Sequence, residues 1–252
     1  MDKINQHLEW RMNRLKLCLV AVFGCLIAQV FAADEHGGPV IPIPYKPGIT
    51  MTKSVQAGIT PDKAVVILQA GNERFQAGKS LKRDLKMLVQ QIAPGQYPFA
   101  SIVACADSRS APEIVFDQSI GDIFVTRVAG NIVNDDMIGS LEYASKVLGT
   151  RVIVVLGHTN CGAIKGACDG VQMGNLTGLL RKIEPAVAAA KTPGERNSKN
   201  HEFVEEVAEI NVSDAIKTIR ERSPILNELE SQEKIKIIGA FYDANSGIVH
   251  WQ

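Results

Sequence analysis

Two short clusters carry side chains able to do chemistry. Cys105-Ala-Asp107-Ser-Arg109 follows the apolar run 99–104, and His158-Thr-Asn-Cys161 follows the apolar run 151–157. Together they offer two thiols and one imidazole, a ligand set for a catalytic zinc that keeps a fourth position open. Such a zinc lowers the pKa of a bound water to roughly 7–9 and so makes hydroxide available as a nucleophile. Thiolates donate more electron density than imidazoles, so the surrounding groups matter more here than in a three-imidazole site. Asp107 and Arg109, two and four residues past Cys105, face the same side if the backbone stays extended. Arg109 can hold Asp107 bidentately and keep it ionised. Asp107 can then orient the hydroxide or, once released, reach the metal as a fourth ligand and close the site. Alone, Asp-x-Arg would be a surface ion pair worth under ~1 kcal/mol. Directly after a candidate zinc ligand it reads as a gate.

These clusters need elements that bring them together. Residues 99–104, 123–128 and 151–156 are short β-branched runs of the kind that form buried parallel strands. Thr60 is a suitable N-cap, with Pro61 at the first helical position, for a helix over 61–76. Helical spacing also marks 136–148, ended by Gly149, then 175–190 and 201–222. Gly162 onward opens a short helix whose N-terminus favours a thiolate at Cys161. Residues 234–241 and 248–251 read as a terminal strand pair around 242–247. Strands alternating with helices predict an α/β fold, a mostly parallel central β-sheet flanked by helices. Ligands collect at the carboxyl ends of strands in such sheets, and Cys105 and His158 both fall just past predicted strand ends.

The N-terminus reads differently. Lys3, Arg11, Arg14 and Lys16 precede the apolar stretch 17–28, and Val30-Phe-Ala32 supplies small residues at a cleavage position. That is the pattern of a secretory signal peptide over 1–32. The other reading, an uncleaved anchor, meets an apolar stretch short of the ~20 residues a spanning helix needs. Residues 33–58, with Pro39, Pro42, Pro44 and Pro47, read as an extended proline-rich arm, leaving 59–252 as one catalytic domain. Cleavage removes four basic and two acidic side chains from a balanced chain, so the mature formal charge is about −2. With no basic run, nucleic acid is not an expected partner. Stable membrane insertion after cleavage is not expected either. Five cysteines become Cys105, Cys161 and Cys168. An odd count suits two metal-bound thiolates better than a disulfide framework; a Cys105–Cys161 bridge would leave Asp107, Arg109 and His158 without a shared purpose.

The paired motifs Cys105-x-Asp107-x-Arg109 and His158-x-x-Cys161 resemble those of the β-class carbonic anhydrases. The likeness runs from 72–75 through 124–131 and 141–143 to Tyr242-Asp243. It implies reversible hydration of carbon dioxide to bicarbonate, with Zn2+ on Cys105, His158 and Cys161 and an Asp107–Arg109 dyad beside it. It also implies that Gln96 hydrogen-bonds substrate or product, and that Phe124 and Tyr143 line the pocket, often across a dimer interface. Ordinary core packing would serve those two aromatic positions equally well. A homodimer or dimer of dimers follows from the resemblance, and the signal adds a periplasmic or secreted setting. Arg127-Val-Ala-Gly-Asn131 departs from the commoner Arg-Asn-x-Ala-Asn of the family. Two other readings share the ligands: a hydrolase for a sulfur analogue of carbon dioxide, and a non-catalytic zinc-binding protein.

Overall fold

A computed structural model describes residues 43–252, so the signal-peptide reading and the first part of the arm lie outside the described residues. Five strands form one sheet in the order β2-β1-β3-β4-β5: β1 Ala100–Ala104, β2 Ile123–Arg127, β3 Val152–His158, β4 Lys236–Tyr242 and β5 Val249–Trp251. The first four are parallel and β5 runs antiparallel to β4. The expected α/β architecture is therefore present, and the terminal strand pair is β4–β5.

Alternation along the strands builds a core on each face. Ala100, Ile102 and Ala104 of β1 pack with Val152, Val154 and Leu156 of β3 on one side, under α2 (Pro61–Gln76). Val103, Ile153, Val155 and Ile237 face the other side and meet Val212, Ala215, Ile216 and Ile219 of α9 (His201–Arg222). Each valine, leucine or isoleucine among them contributes about 1.5–3 kcal/mol when withdrawn from water. A third cluster lies beneath the strand ends and joins Cys105 and Cys161 to Ile132, Ile164, Ile183 and Phe203. The two chemical clusters thus rest on apolar packing that fixes their backbone.

Three expectations need correction. The arm read over 33–58 does not stay extended: α1 (Lys53–Ala57) is helical, and Met51 and Val55 are buried in the core. The prolines stop at Pro47, and Met51, Val55 and Ile59 then supply an apolar set that burial rewards. The helix expected over 175–190 is two pieces, α7 (Gly174–Leu180) and α8 (Glu184–Ala189). Pro185 explains the break, since its ring clashes with the carbonyl four residues back. The helix expected over 136–148 begins as α5 (Asp135–Glu142) and finishes as a π-helix, Tyr143–Leu148, ending at Gly149 with φ 86°. Short helices at α3 (Leu85–Ile92), α4 (Pro112–Val115) and α10 (Pro224–Ser231) had no periodic signal long enough to read.

Candidate metal centre

Register explains how separated residues converge. Ala104 pairs with both Arg127 and Leu156, so β1, β2 and β3 end at one edge of the sheet. Cys105 follows β1 directly, His158 is the last residue of β3, and Cys161 is the N-cap residue of α6 (Gly162–Cys168). All three are buried, and their donor atoms lie within 4.8 Å of one another.

The geometry fits zinc. Sγ of Cys105 and Sγ of Cys161 are 3.8 Å apart. Two Zn–S bonds of about 2.3 Å at a tetrahedral angle require about the same separation. His158 Nδ1 donates to the Thr159 carbonyl at 2.9 Å, because a carbonyl can only accept. That bond leaves Nε2 with its lone pair free, and Nε2 is buried without a hydrogen-bond partner. An orphaned buried nitrogen beside two thiols is the chemistry of a metal-ligand site.

Charge on the thiols follows from their contacts. The Cys105 thiol is pushed down to about 4, first by its hydrogen bond with Cys161, with burial opposing. His158 and the Gly130 and Asp107 backbone N–H groups lower it further. These two amides approach Cys105 Sγ at 3.3 and 3.4 Å. Cys161 moves up for the complementary reason, since Cys105 already carries the charge and burial penalises a second. A divalent cation between them removes that conflict by stabilising both thiolates.

Beside the donors, Asp107 accepts three hydrogen bonds from Arg109: Oδ1 from the backbone N and Nε, each at 2.9 Å, and Oδ2 from Nη2 at 2.7 Å. Arg109 holds the carboxyl far below the ordinary carboxylate range, with burial opposing. Asp107 Oδ2 lies 3.9 Å from His158 Nε2. The carboxylate is therefore paired with Arg109 and sits beside the donor set, outside it. The extended backbone expected here is replaced by a turn: Ser110 N donates to the Asp107 carbonyl at 3.1 Å, and that turn brings Arg109 back over Asp107. Sharing a side of a strand would have left the two side chains parallel; the turn makes them meet.

The site has supports that the motifs did not reveal. Arg127, at the end of β2, donates to the carbonyls of Cys105 at 2.9 Å and Asp107 at 2.5 Å, clamping the segment between them. The Asn160 carbonyl receives Arg109 Nη2 at 3.4 Å, and Lys165 Nζ holds the Asn160 side chain at 3.0 Å. Arg127 stands in the motif quoted above, yet only the register of β2 against β1 shows what its side chain does.

The other three expected site residues lie elsewhere within the chain. Phe124 and Tyr143 do meet, with ring centroids 6.4 Å apart and nearly edge-on. Phe124 pairs with Ser101, however, four residues before Cys105. At ~3.3 Å per residue that is about 13 Å down the strand from the donors. Gln96 is exposed and precedes the opposite end of β1. One chain does not bring these three to its own metal donors.

Comparison with known proteins gives the same direction. A sequence profile described as carbonic anhydrase matches residues 100–249. Carbonic anhydrase 2 of Mycobacterium tuberculosis is 36% identical over 189 residues, covering 74% of this chain and 90% of that protein. The carbonic anhydrase of Mycolicibacterium smegmatis is 33% identical, covering 75% of this chain and 92% of its own. Among solved structures, one of two tetrameric β-carbonic anhydrases from Sordaria macrospora superposes with TM-score 0.58 at 26% identity, over 72% of this chain and 90% of that one. A β-carbonic anhydrase of Aspergillus fumigatus shares the fold, with TM-score 0.59 at 23% identity, over 73% and 88% of the two chains.

Proposed function

This chain belongs to the carbonic anhydrase family, of the β class, and from that premise we propose how its own residues serve the reaction and in what setting. It is a zinc-dependent enzyme that reversibly hydrates carbon dioxide to bicarbonate and a proton. The observation that carries this reading is the buried Cys105, His158 and Cys161 donor set with Asp107 and Arg109 beside it.

Cys105, His158 and Cys161 would hold zinc, which when bound would supply the Lewis acidity that makes a water nucleophilic near neutral pH. Asp107 serves as the acceptor that takes a hydrogen bond from the attacking oxygen and aims its lone pair at carbon dioxide. Arg109 keeps that carboxylate ionised and fixes both of its oxygens, so Asp107 acts only as an acceptor. Released from Arg109, Asp107 would turn toward the donors as a fourth ligand and close the site. His158 is held in its metal-binding tautomer by the Thr159 carbonyl. Arg127 holds the segment from Cys105 to Asp107 rigid, so the orientation is set before substrate arrives. Stopped-flow hydration of carbon dioxide by the zinc-loaded full chain tests the reading; no activity between pH 7 and 9 would overturn it.

The working unit is a homodimer or a dimer of dimers. Support comes from the separation of Gln96, Phe124 and Tyr143 from the donors of their own chain: a second copy can present them. β2 is an edge strand, and the exposed Tyr143 meets its Phe124. Light scattering on the purified chain measures the mass. Mixed oligomers of Asp107→Asn and Tyr143→Ala chains should recover part of the activity that each alone lacks.

The setting is the periplasm or the exterior, after removal of 1–32, with the basic-then-apolar N-terminus as support. Among the described residues no helix is long and apolar enough to cross a membrane. N-terminal sequencing of the protein recovered from each cell fraction tests this. An intact Met1 in the cytoplasmic fraction would refute it.

A further inference from the structure

Asn211 sits at the middle of α9 with only 4% of its surface exposed. Its neighbours on the buried face are Val204, Val207, Ala208, Val212 and Ala215. A buried amide among aliphatic side chains is unfavourable unless it is hydrogen-bonded. Asn211 Nδ2 spends its bond on one atom, the Gly130 carbonyl oxygen, at 2.9 Å and 81 residues away in sequence.

That carbonyl belongs to the turn over the metal centre. Gly130 lies in the 3-10 turn Ala129–Asn131 and its own N–H donates to Cys105 Sγ. The turn is not a relaxed one. Gly130 has φ 72° and Asn131 has φ 41°, two successive left-handed residues, the second with a side chain. A left-handed non-glycine residue is strained and persists where surrounding contacts hold it. Packing blocks adjustment on one side, since a Cβ on Gly130 would meet Ile183 Cδ1 at 2.8 Å. On the other side the contact is the amide of Asn211.

We infer that Asn211 is a positioning residue for the metal centre, holding Gly130 by its carbonyl so that the N–H on the other side of the same Cα points at the Cys105 thiolate. The inference rests on the zinc reading of Cys105, His158 and Cys161. Its consequence is electronic as well as geometric. An N–H bonded to a thiolate draws electron density off the sulfur and fixes its direction, so it sets how much charge that ligand passes to the metal. No motif around Cys105 or His158 contains Asn211; the link is Gly130, whose carbonyl meets Asn211 and whose N–H meets Cys105.

The test uses the full chain and reads the metal centre directly. In protein loaded with cadmium-113, the Gly130 amide proton should show a coupling to the metal through the N–H···S bond. Asn211→Leu removes the donor while filling its space, and should abolish that coupling. With cobalt(II) in place of zinc, the thiolate-to-metal absorption band of the variant should move to lower energy. Zinc release to a chelator should speed up about ten- to a hundredfold. Asn211→Val, smaller and free of overpacking, carries the same three readings if the leucine variant fails to fold. A Gly130 coupling and cobalt band unchanged from wild type in a folded variant would overturn the inference, leaving Asn211 with a packing role. A wild-type chain that takes up neither zinc nor cadmium would overturn the metal reading, and this inference with it.

Discussion

Asp107→Asn should separate chemistry from stability at the metal centre. The amide keeps one acceptor oxygen but loses the charge that Arg109 reads through three hydrogen bonds of 2.7–2.9 Å. It also places an N–H₂ group where an acceptor must face the attacking oxygen. Removing one such preorganised partner typically lowers turnover about 10²–10³-fold, or roughly 3–4 kcal/mol of barrier. Stability should barely move. The Arg109 side chain is 56% exposed, so solvent screens the pair and Tm should fall by no more than about 2–4 °C. Zinc should stay, because Asp107 lies outside the donor triad. The assay is stopped-flow hydration on protein whose zinc content and melting curve have been measured on the same sample. Turnover within threefold of wild type, or loss of zinc with the activity, would refute the role given to Asp107.

Three further outcomes follow from particular contacts. Cys161→Ser should reduce zinc from about one per chain to near zero, since a hydroxyl is a poor substitute for one of two thiolates; metal analysis after dialysis measures it. Gly71→Ala should cost at least about 3 kcal/mol, a fall in Tm of roughly 6–12 °C, because overpacking against backbone has no cheap relief. A Cβ there would lie 1.8 Å from the Phe116 carbonyl oxygen. Asp122 is buried, and burial raises its carboxyl from 3.8 to about 6, with the Ser119 N–H bond opposing. The folded state therefore holds this proton more tightly than the unfolded chain. The resulting stability is fully present below pH ~4 and is lost as pH rises through about 6, by up to about 3 kcal/mol. Asp122→Asn should accordingly raise Tm at pH 8 and leave it unchanged near pH 4; a gain of equal size at both would contradict this account.

The Cys105, His158 and Cys161 donor cluster was legible in the sequence because it is carried by residue type and short spacing. Two thiols, an imidazole, a carboxylate and a guanidinium in two clusters admit few shared purposes, and the odd cysteine count pointed the same way. β1, β3, the helix over 61–76 and the long helix over 201–222 were legible for a related reason. Their apolar periods are long or uniform enough to outweigh local noise. Short helices such as Pro112–Val115, the break before Pro185 and the burial of Met51 and Val55 lacked such a period.

What the tertiary structure decided is which distant groups act on the ligands. Parallel register brought Arg127 onto the carbonyls of Cys105 and Asp107, and a turn, rather than an extended strand, closed Arg109 on Asp107. α9 delivered Asn211 to the Gly130 carbonyl across 81 residues. The same register set Phe124 away from the metal donors of its own chain, and Tyr143 meets it there. Local sequence encodes donor identity, since coordination chemistry depends on the atoms themselves. The direction of a hydrogen bond depends on where a second element's backbone lies, and only packing of the whole domain sets that.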